Sequence, residues 1–320
     1  VSGVNITEAV SYLSGIDKDT QYSAAGITSS VNSIITNGDP AVHATAKTYV
    51  LTTKVDQGAD FTGTAGNDTF TADNTGTAEV NSVADTLDGG DGLGDAYTVF
   101  SDGTIAAMPT LKNIEIINLY DEDTDYSLAD ISSAVTTANY YRGDGTVTFT
   151  VPATITKVSL NNIALASTGV VIAAAAADTA IDVDLNKVTT AAGGANEDVA
   201  LTGAGLKTVT VTTSGTASSL DDLDVAGATT VNINTLNSVG LTLGELVTTG
   251  TKATINITGA GNVALGVLDD GFTTLAAGDA TGNISMTGPG SSNLDAVITL
   301  GSGSDTFTTG HGGYATAKKF

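Results

Sequence analysis

A short alternating segment recurs through the second half of the chain, and that recurrence constrains the fold more than any other feature. Thr208-Val209-Thr210-Val211, Thr230-Val231-Asn232-Ile233, Thr254-Ile255-Asn256-Ile257 and Asn283-Ile284-Ser285-Met286 each put an apolar residue at every second position. That is the period of a strand buried on one face. Val209, Val231, Ile255 and Ile284 stand 22, 24 and 29 residues apart. Each strand follows a similar lead-in: Gly205-Leu206-Lys207, Gly227-Ala228-Thr229, Gly250-Thr251-Lys252 and Asp279-Ala280-Thr281. One strand per 20–30 residues is the signature of a solenoid, whose turns bury their apolar sides only by stacking. The asparagines Asn232, Asn234, Asn256 and Asn283 then either stack as ladders or face water.

The reading is a mainly β fold, an irregular right-handed parallel β-solenoid or β-roll. Further alternating runs at Ile114-Glu115-Ile116 and Thr146–Val151 extend it toward the N-terminus. An antiparallel β-sandwich is the competing arrangement, favoured by the uneven spacing. Residues 1–50 read differently, as a small helical module. Asn5 and Glu8 have capping-box spacing, and Ile6, Ala9, Val10 and Leu13 share a helical face. Ile27, Val31, Ile34 and Ile35 repeat the pattern up to Asn37-Gly38. Asp39-Pro40 supplies an N-cap and first-turn pair for a third helix through about Tyr49. Residues 51–320 form the solenoid.

Charge narrows the class of partner. The chain carries 35 Asp and Glu against 11 Lys and Arg, a formal charge of −24, yet only 14% of its residues are charged. A globular domain has about 25%, so cations are what is scarce. Nucleic acid binding needs clustered Lys and Arg, and anionic membrane surfaces need the same. Cations suit this balance: either metal ions neutralise the carboxylates, or the chain repels itself. No apolar run approaches the roughly 20 residues of a membrane-spanning helix. Cys and Trp are absent, which removes disulfides and thiolate metal sites. Val1 opens no recognisable signal peptide, and both ends read as cuts from a longer chain.

The sharpest local signal is Gly63-Thr64-Ala65-Gly66-Asn67-Asp68-Thr69-Phe70-Thr71. It matches the calcium-binding nonapeptide G-G-x-G-x-D-x-U-x at the first and fourth glycines, the aspartate and the large apolar residue. Leu300–Thr308 is a second copy, with Gly301, Gly303, Asp305 and Phe307. A looser third runs from Asp88 to Tyr97 and holds Asp88, Asp91 and Asp95. Ca²⁺ takes six to eight oxygens and accepts main-chain carbonyls. Glycines let a tight turn present those carbonyls, and Asp adds the anionic oxygen. Calcium in such a roll sits between successive turns, and neither of the two better copies has an intact tandem neighbour. The first would borrow ligands from Asp73, Asp85, Asp88 or Asp91. A Gly-Asp β-turn without metal is the alternative. Asp121 and Asp123, in Asp121–Asp125, form a weaker loop candidate, as do Asp221-Asp222-Leu223-Asp224 and Asp269-Asp270-Gly271.

Nothing in the sequence marks an active site. There is no H-E-x-x-H zinc motif, no G-x-S-x-G elbow and no cysteine nucleophile. Arg142, in Tyr140-Tyr141-Arg142-Gly143-Asp144, is the one arginine and the one candidate for lyase chemistry. A surface stack or ion pair is its plainer role. Paired-carboxylate glycoside hydrolysis would be expected to bring aromatic platforms.

The nonapeptides Gly63–Thr71 and Leu300–Thr308 resemble RTX repeats. Between them, Leu111–Leu119, the segment ending Ala228–Ile233 and Val297–Thr306 are similar in style to the Thr/Ala/Asn-rich body of bacterial RTX-type S-layer proteins. The resemblance implies secretion by a type I pathway and calcium-dependent self-assembly into a lattice on the bacterial cell surface. It implies the chain itself as partner, with cell-surface polysaccharide or lipopolysaccharide as a further one. Large RTX adhesins share the nonapeptides, so an adhesin segment is the first alternative, and a polysaccharide-acting β-helix enzyme the second. A structural, non-enzymatic role is the expectation.

Overall fold

The structure is a computed structural model. It describes residues 45–308, apart from residues 77 and 226 and the stretches 103–107, 121–125, 129–133, 144–146, 166–168, 191–198, 249–251, 269–270 and 289–295.

Two ladders of parallel strands carry most of the described residues. The first sheet runs through Thr48–Val50, Thr69–Asn74, Ala96–Ser101, Ile116–Tyr120, Thr137–Tyr141 and Lys157–Leu165. It continues through Ala180–Thr190, Thr208–Thr213, Thr230–Thr235, Ala253–Gly259, Phe272–Ala276 and Val297–Thr299. The second sheet runs through Tyr126–Ser127, Val147–Val151, Val170–Ala174, Val199–Thr202 and Ser218–Asp224. Leu241–Val247, Val263–Leu268, Ile284–Thr287 and Thr306–Thr308 complete it. From Tyr126 onward the chain alternates between the two sheets, so each pair of strands closes one turn of a β-solenoid. A short third pair, Thr86–Asp88 with Thr110–Lys112, flanks the early turns.

The sequence makes this stack by repeating residue types in register. Phe70, Tyr97, Ile117, Ala138, Val158, Val183, Val211, Ile233 and Ile257 form one continuous buried column. In the second sheet Val147, Val170, Val199, Leu223, Leu246 and Leu268 form another. Strands buried on one face need only alternate, which is why β-branched residues with Thr and Asn between them suffice. On the outward positions Asn256 donates to Asn232 at 2.8 Å and Asn139 to Asn118 at 2.9 Å. The asparagines therefore form ladders. Asn283 joins a different one, accepting from Ser304 N and donating its own N–H to Asn262.

Two expectations change. The partner of Ile255 is Leu275, not Ile284. Ile284 belongs to the second sheet, opposite Val263. The intervening strand Phe272–Ala276 escapes a period-two reading because its register shifts at Ala253/Thr254. Thr48–Val50 is a strand, in register with Thr69–Thr71, and residues 45–47 are not helical, so the third helix expected through about Tyr49 does not cover residues 45–50. The rest of the helical module, residues 1–44, lies outside the described residues. Arg142, Asn162 and Lys187 all have positive φ (67, 52 and 57°). They follow the paired residues Tyr141, Asn161 and Asn186, and so line up at one corner. There the long strands Lys157–Leu165 and Ala180–Thr190 bend, and Thr189 reaches Ser219 to join the two sheets.

Candidate metal centre

The N-terminal turns bring carboxylates into a column. Thr48 pairs with Thr69, Thr69 with Ala96, and Ala96 with Ile116. The residues just before them, Lys47, Asp68, Asp95 and Glu115, are therefore equivalent. Each acid accepts the main-chain N–H of its counterpart one turn earlier. Lys47 N donates to Asp68 Oδ1 at 2.5 Å, Asp68 N to Asp95 Oδ1 at 2.6 Å, and Asp95 N to Glu115 Oε2 at 2.9 Å. These are charge-assisted bonds and belong to the stronger class. Asp68 and Asp95 are both fully buried.

Their second oxygens differ. Asp68 Oδ2 accepts from Thr64 N at 2.5 Å and from the Thr64 hydroxyl at 3.0 Å. Among the described residues, Asp95 Oδ2 has no hydrogen-bond partner. Burial pushes the Asp95 carboxyl up to about 6, against the Asp68 N–H that favours its charged form; the charges of Glu115, Asp68 and Asp88 raise it further. Among the described residues, no Lys or Arg side chain pairs with Asp68 or Asp95. A buried anionic oxygen without a donor is costly, and a cation is the direct remedy.

The glycines shape the oxygens around it. A methyl carbon built on Gly63 would meet Gly89 O at 2.1 Å and Asp68 Oδ2 at 2.6 Å. One built on Gly92 would meet Gly66 O and Asp95 Oδ2 at 2.6 Å each and Asp95 Oδ1 at 2.7 Å. Main-chain carbonyls and carboxylates thus converge where only glycine leaves room. This is the donor chemistry calcium uses, and the residues present fit the ion in that respect. Among the described residues no three His, Asp or Glu side chains gather into a metal cage. Any ion here relies on main-chain oxygens for part of its shell.

The other candidates are placed as follows. Asp88 Oδ1 is engaged by Gly90 N at 3.1 Å and by the Asn113 amide at 2.9 Å. Asp91 is exposed, and its N–H donates to Thr64 O. Asp73 caps its own turn through Thr75, which holds its carboxyl below the ordinary range. It is not drawn into the column. Gly301 and Gly303 stack on Ala280 O and Gly282 O. Asp305 Oδ1 accepts Ile284 N at 2.8 Å, the same bond that Asp95 accepts from Asp68. Its counterpart one turn earlier is Ile284, so no second acid stands across that turn. Asp121, Asp123, Asp269 and Asp270 lie outside the described residues.

The sequence reading passed over two features. Glu115 completes the column but sits in no Gly-Asp motif. Asp85, expected as a borrowed ligand of the first repeat, instead forms a second column with Asp56, with Asp56 N donating to Asp85 Oδ1 at 2.9 Å and both carboxylates buried. The signal for the latter is the tripeptide Asp85-Thr86-Leu87, which repeats Asp68-Thr69-Phe70 and Asp305-Thr306-Phe307. Arg142 lies 5.9 Å from the ring centre of Tyr120, which stacks on Tyr141 at 4.3 Å and on Phe100 at 4.7 Å.

Fold and site together define a parallel β-solenoid with carboxylates stacked between its first turns. Compared with protein-family models, curated proteins and solved structures, the chain matches none of them. Among the described residues no helix is long and apolar enough to cross a membrane.

Proposed function

We propose that this chain is a calcium-stapled structural segment of a secreted bacterial surface protein, one that self-assembles into a layer on the cell. The observation that carries the reading is the unpartnered Oδ2 of Asp95, fully buried between two further carboxylates and beside the Gly66 carbonyl. Calcium bound there links consecutive turns and offsets their mutual repulsion. Binding an ion that the unfolded chain cannot hold stabilises the fold by mass action. A chain of charge −24 with few cations then depends on the ion both to fold and to approach copies of itself. The resemblance of Gly63–Thr71 and Leu300–Thr308 to RTX repeats supports the surface-layer setting and secretion by a type I route.

The role is structural, not catalytic. Arg142, the one residue suggestive of lyase chemistry, packs against Tyr120 at a backbone corner. The test is chelation. Removing calcium with a chelator should lower the β-content seen by circular dichroism and abolish light scattering from assemblies, and added calcium should restore both. Ordered sheets in electron micrographs of the calcium-loaded protein separate a lattice from an adhesin. Unchanged spectra and association after chelation would sink the reading.

A further inference from the structure

In the N-terminal turns the Gly-Asp motifs end with the copy that holds Asp95. The column of acids does not end there. Glu115 occupies the next position, with its Oε2 accepting Asp95 N at 2.9 Å. Two residues before it, Asn113 has φ +50°. In that conformation its carbonyl lies over Gly89: a methyl carbon on Gly89 would sit 2.0 Å from Asn113 O and 2.6 Å from Asp95 Oδ2. Those two oxygens are therefore no farther apart than the span of two calcium–oxygen bonds of about 2.3–2.6 Å each. Both are acceptors. Asp95 Oδ2 is fully buried and takes no hydrogen bond from any of the described residues. The same arrangement one turn earlier, Gly89 O beside Asp68 Oδ2, is satisfied by Thr64. Among the described residues the later turn has no equivalent donor.

We propose that Glu115 completes a calcium site between its own turn and the turn of Asp95. Asp95 and the Asn113 carbonyl supply the other oxygens, and Glu115 stands where another Gly-Asp repeat would supply its aspartate. The longer side chain lets a turn without the glycine loop still bring a carboxylate beside the Asp95 backbone. The ion at Asp95 is thereby shared with a turn that the motif does not mark, and the acid-rich N-terminal turns are tied to the Asn and Thr ladders that follow. This inference rests on the calcium reading of the same column.

The experiment is calcium titration by calorimetry on the full chain and on the variants Glu115→Gln and Asp95→Asn. Gln retains an oxygen for Asp95 N, so a purely structural cap would leave calcium binding unmoved. The expected result is loss of one calcium equivalent, or at least a tenfold weakening of one site, in both variants. If only Asp95→Asn loses calcium, the role of Glu115 is overturned while the calcium reading stands. If neither variant changes, both fall. Glu115→Asp, which keeps the charge but shortens the reach, should bind more weakly than the parent, and binding equal to the parent would also overturn the proposal. Circular dichroism at saturating calcium confirms that each variant is folded.

Discussion

The main-chain N–H of Asp68 donates to Oδ1 of Asp95 at 2.6 Å, and both residues sit at the same position of adjacent turns. One bond thus ties the Gly-Asp turn to its looser copy 27 residues on. It also sets two buried carboxylates one above the other. The consequences below follow from that stacking and from the columns that continue it.

Gly92→Ala should damage the centre without straining the backbone angles. Gly92 is not among the positive-φ glycines, so alanine is conformationally allowed. Its methyl, however, would meet Gly66 O and Asp95 Oδ2 at 2.6 Å. Neither the carbonyl nor the buried carboxylate can retreat without breaking the turn. We expect loss of calcium-dependent thermal stabilisation, followed by melting with and without chelator. Gly76→Ala is the control, because nothing lies within 4 Å of its missing methyl. It should leave the calcium response intact.

Without calcium, Asp95 gives stability a distinct pH dependence. Its carboxyl is pushed up to about 6 in the fold, against about 3.9 in an unfolded chain. Between those values the folded chain holds a proton that the unfolded chain has released. The contribution of Asp95 is therefore fully present below about pH 4 and fades as pH rises through about 6. Urea midpoints of chelated protein at pH 4.5 and 7.5 should move apart less in Asp95→Asn than in the parent. An equal difference in the two proteins would contradict the assignment. Calcium should reverse the sense, since protons compete with it for the same oxygens.

The strand stack was readable where residues alternate without interruption, as in Thr208–Thr213 and Thr230–Thr235. It was hidden where the register shifts. Phe272–Ala276 places two threonines between its buried Phe272 and Leu275, so a strict alternation skips it and lands on Ile284 in the other sheet. The carboxylate column was legible at Asp68 and Asp95, because glycine spacing encodes close main-chain approach. It was not legible at Glu115, whose relation to Asp95 arises from stacking across 20 residues and leaves no local motif. Asp91 looked equivalent to its neighbours in sequence, yet the turn points it to solvent.

Ile233→Ala should cost about 2–5 kcal/mol, the range for truncating a buried isoleucine. Ile233 is fully buried between Val211 and Ile257 in the longest apolar column. The cavity cannot collapse easily, because the rungs on both sides are held by their own ladders. Each turn of a solenoid contacts chiefly its neighbours, so the loss should concentrate near residues 208–258. Hydrogen exchange followed by mass spectrometry would show protection falling there first. Uniform loss over the whole chain would instead mean that the stack unfolds as one unit.

Asn232→Ala tests whether the outward ladder adds to stability or only decorates the surface. Asn232 accepts from Asn256 at 2.8 Å and donates to the Thr210 hydroxyl at 3.4 Å. The first bond is well formed and the second is at the limit of a real one. Both lie on a half-buried face where water competes, so the net loss should be about 0.5–1.5 kcal/mol. That is smaller than the loss at Ile233. Asn232→Asp keeps the acceptor for Asn256, but it places a charge on a rung with no cation in register at Thr210 or Asn256. It should therefore lower the urea midpoint at pH 7.5 and recover it as the carboxyl protonates near pH 4. A midpoint unchanged in Asn232→Ala would mean that the apolar columns alone hold these turns in register.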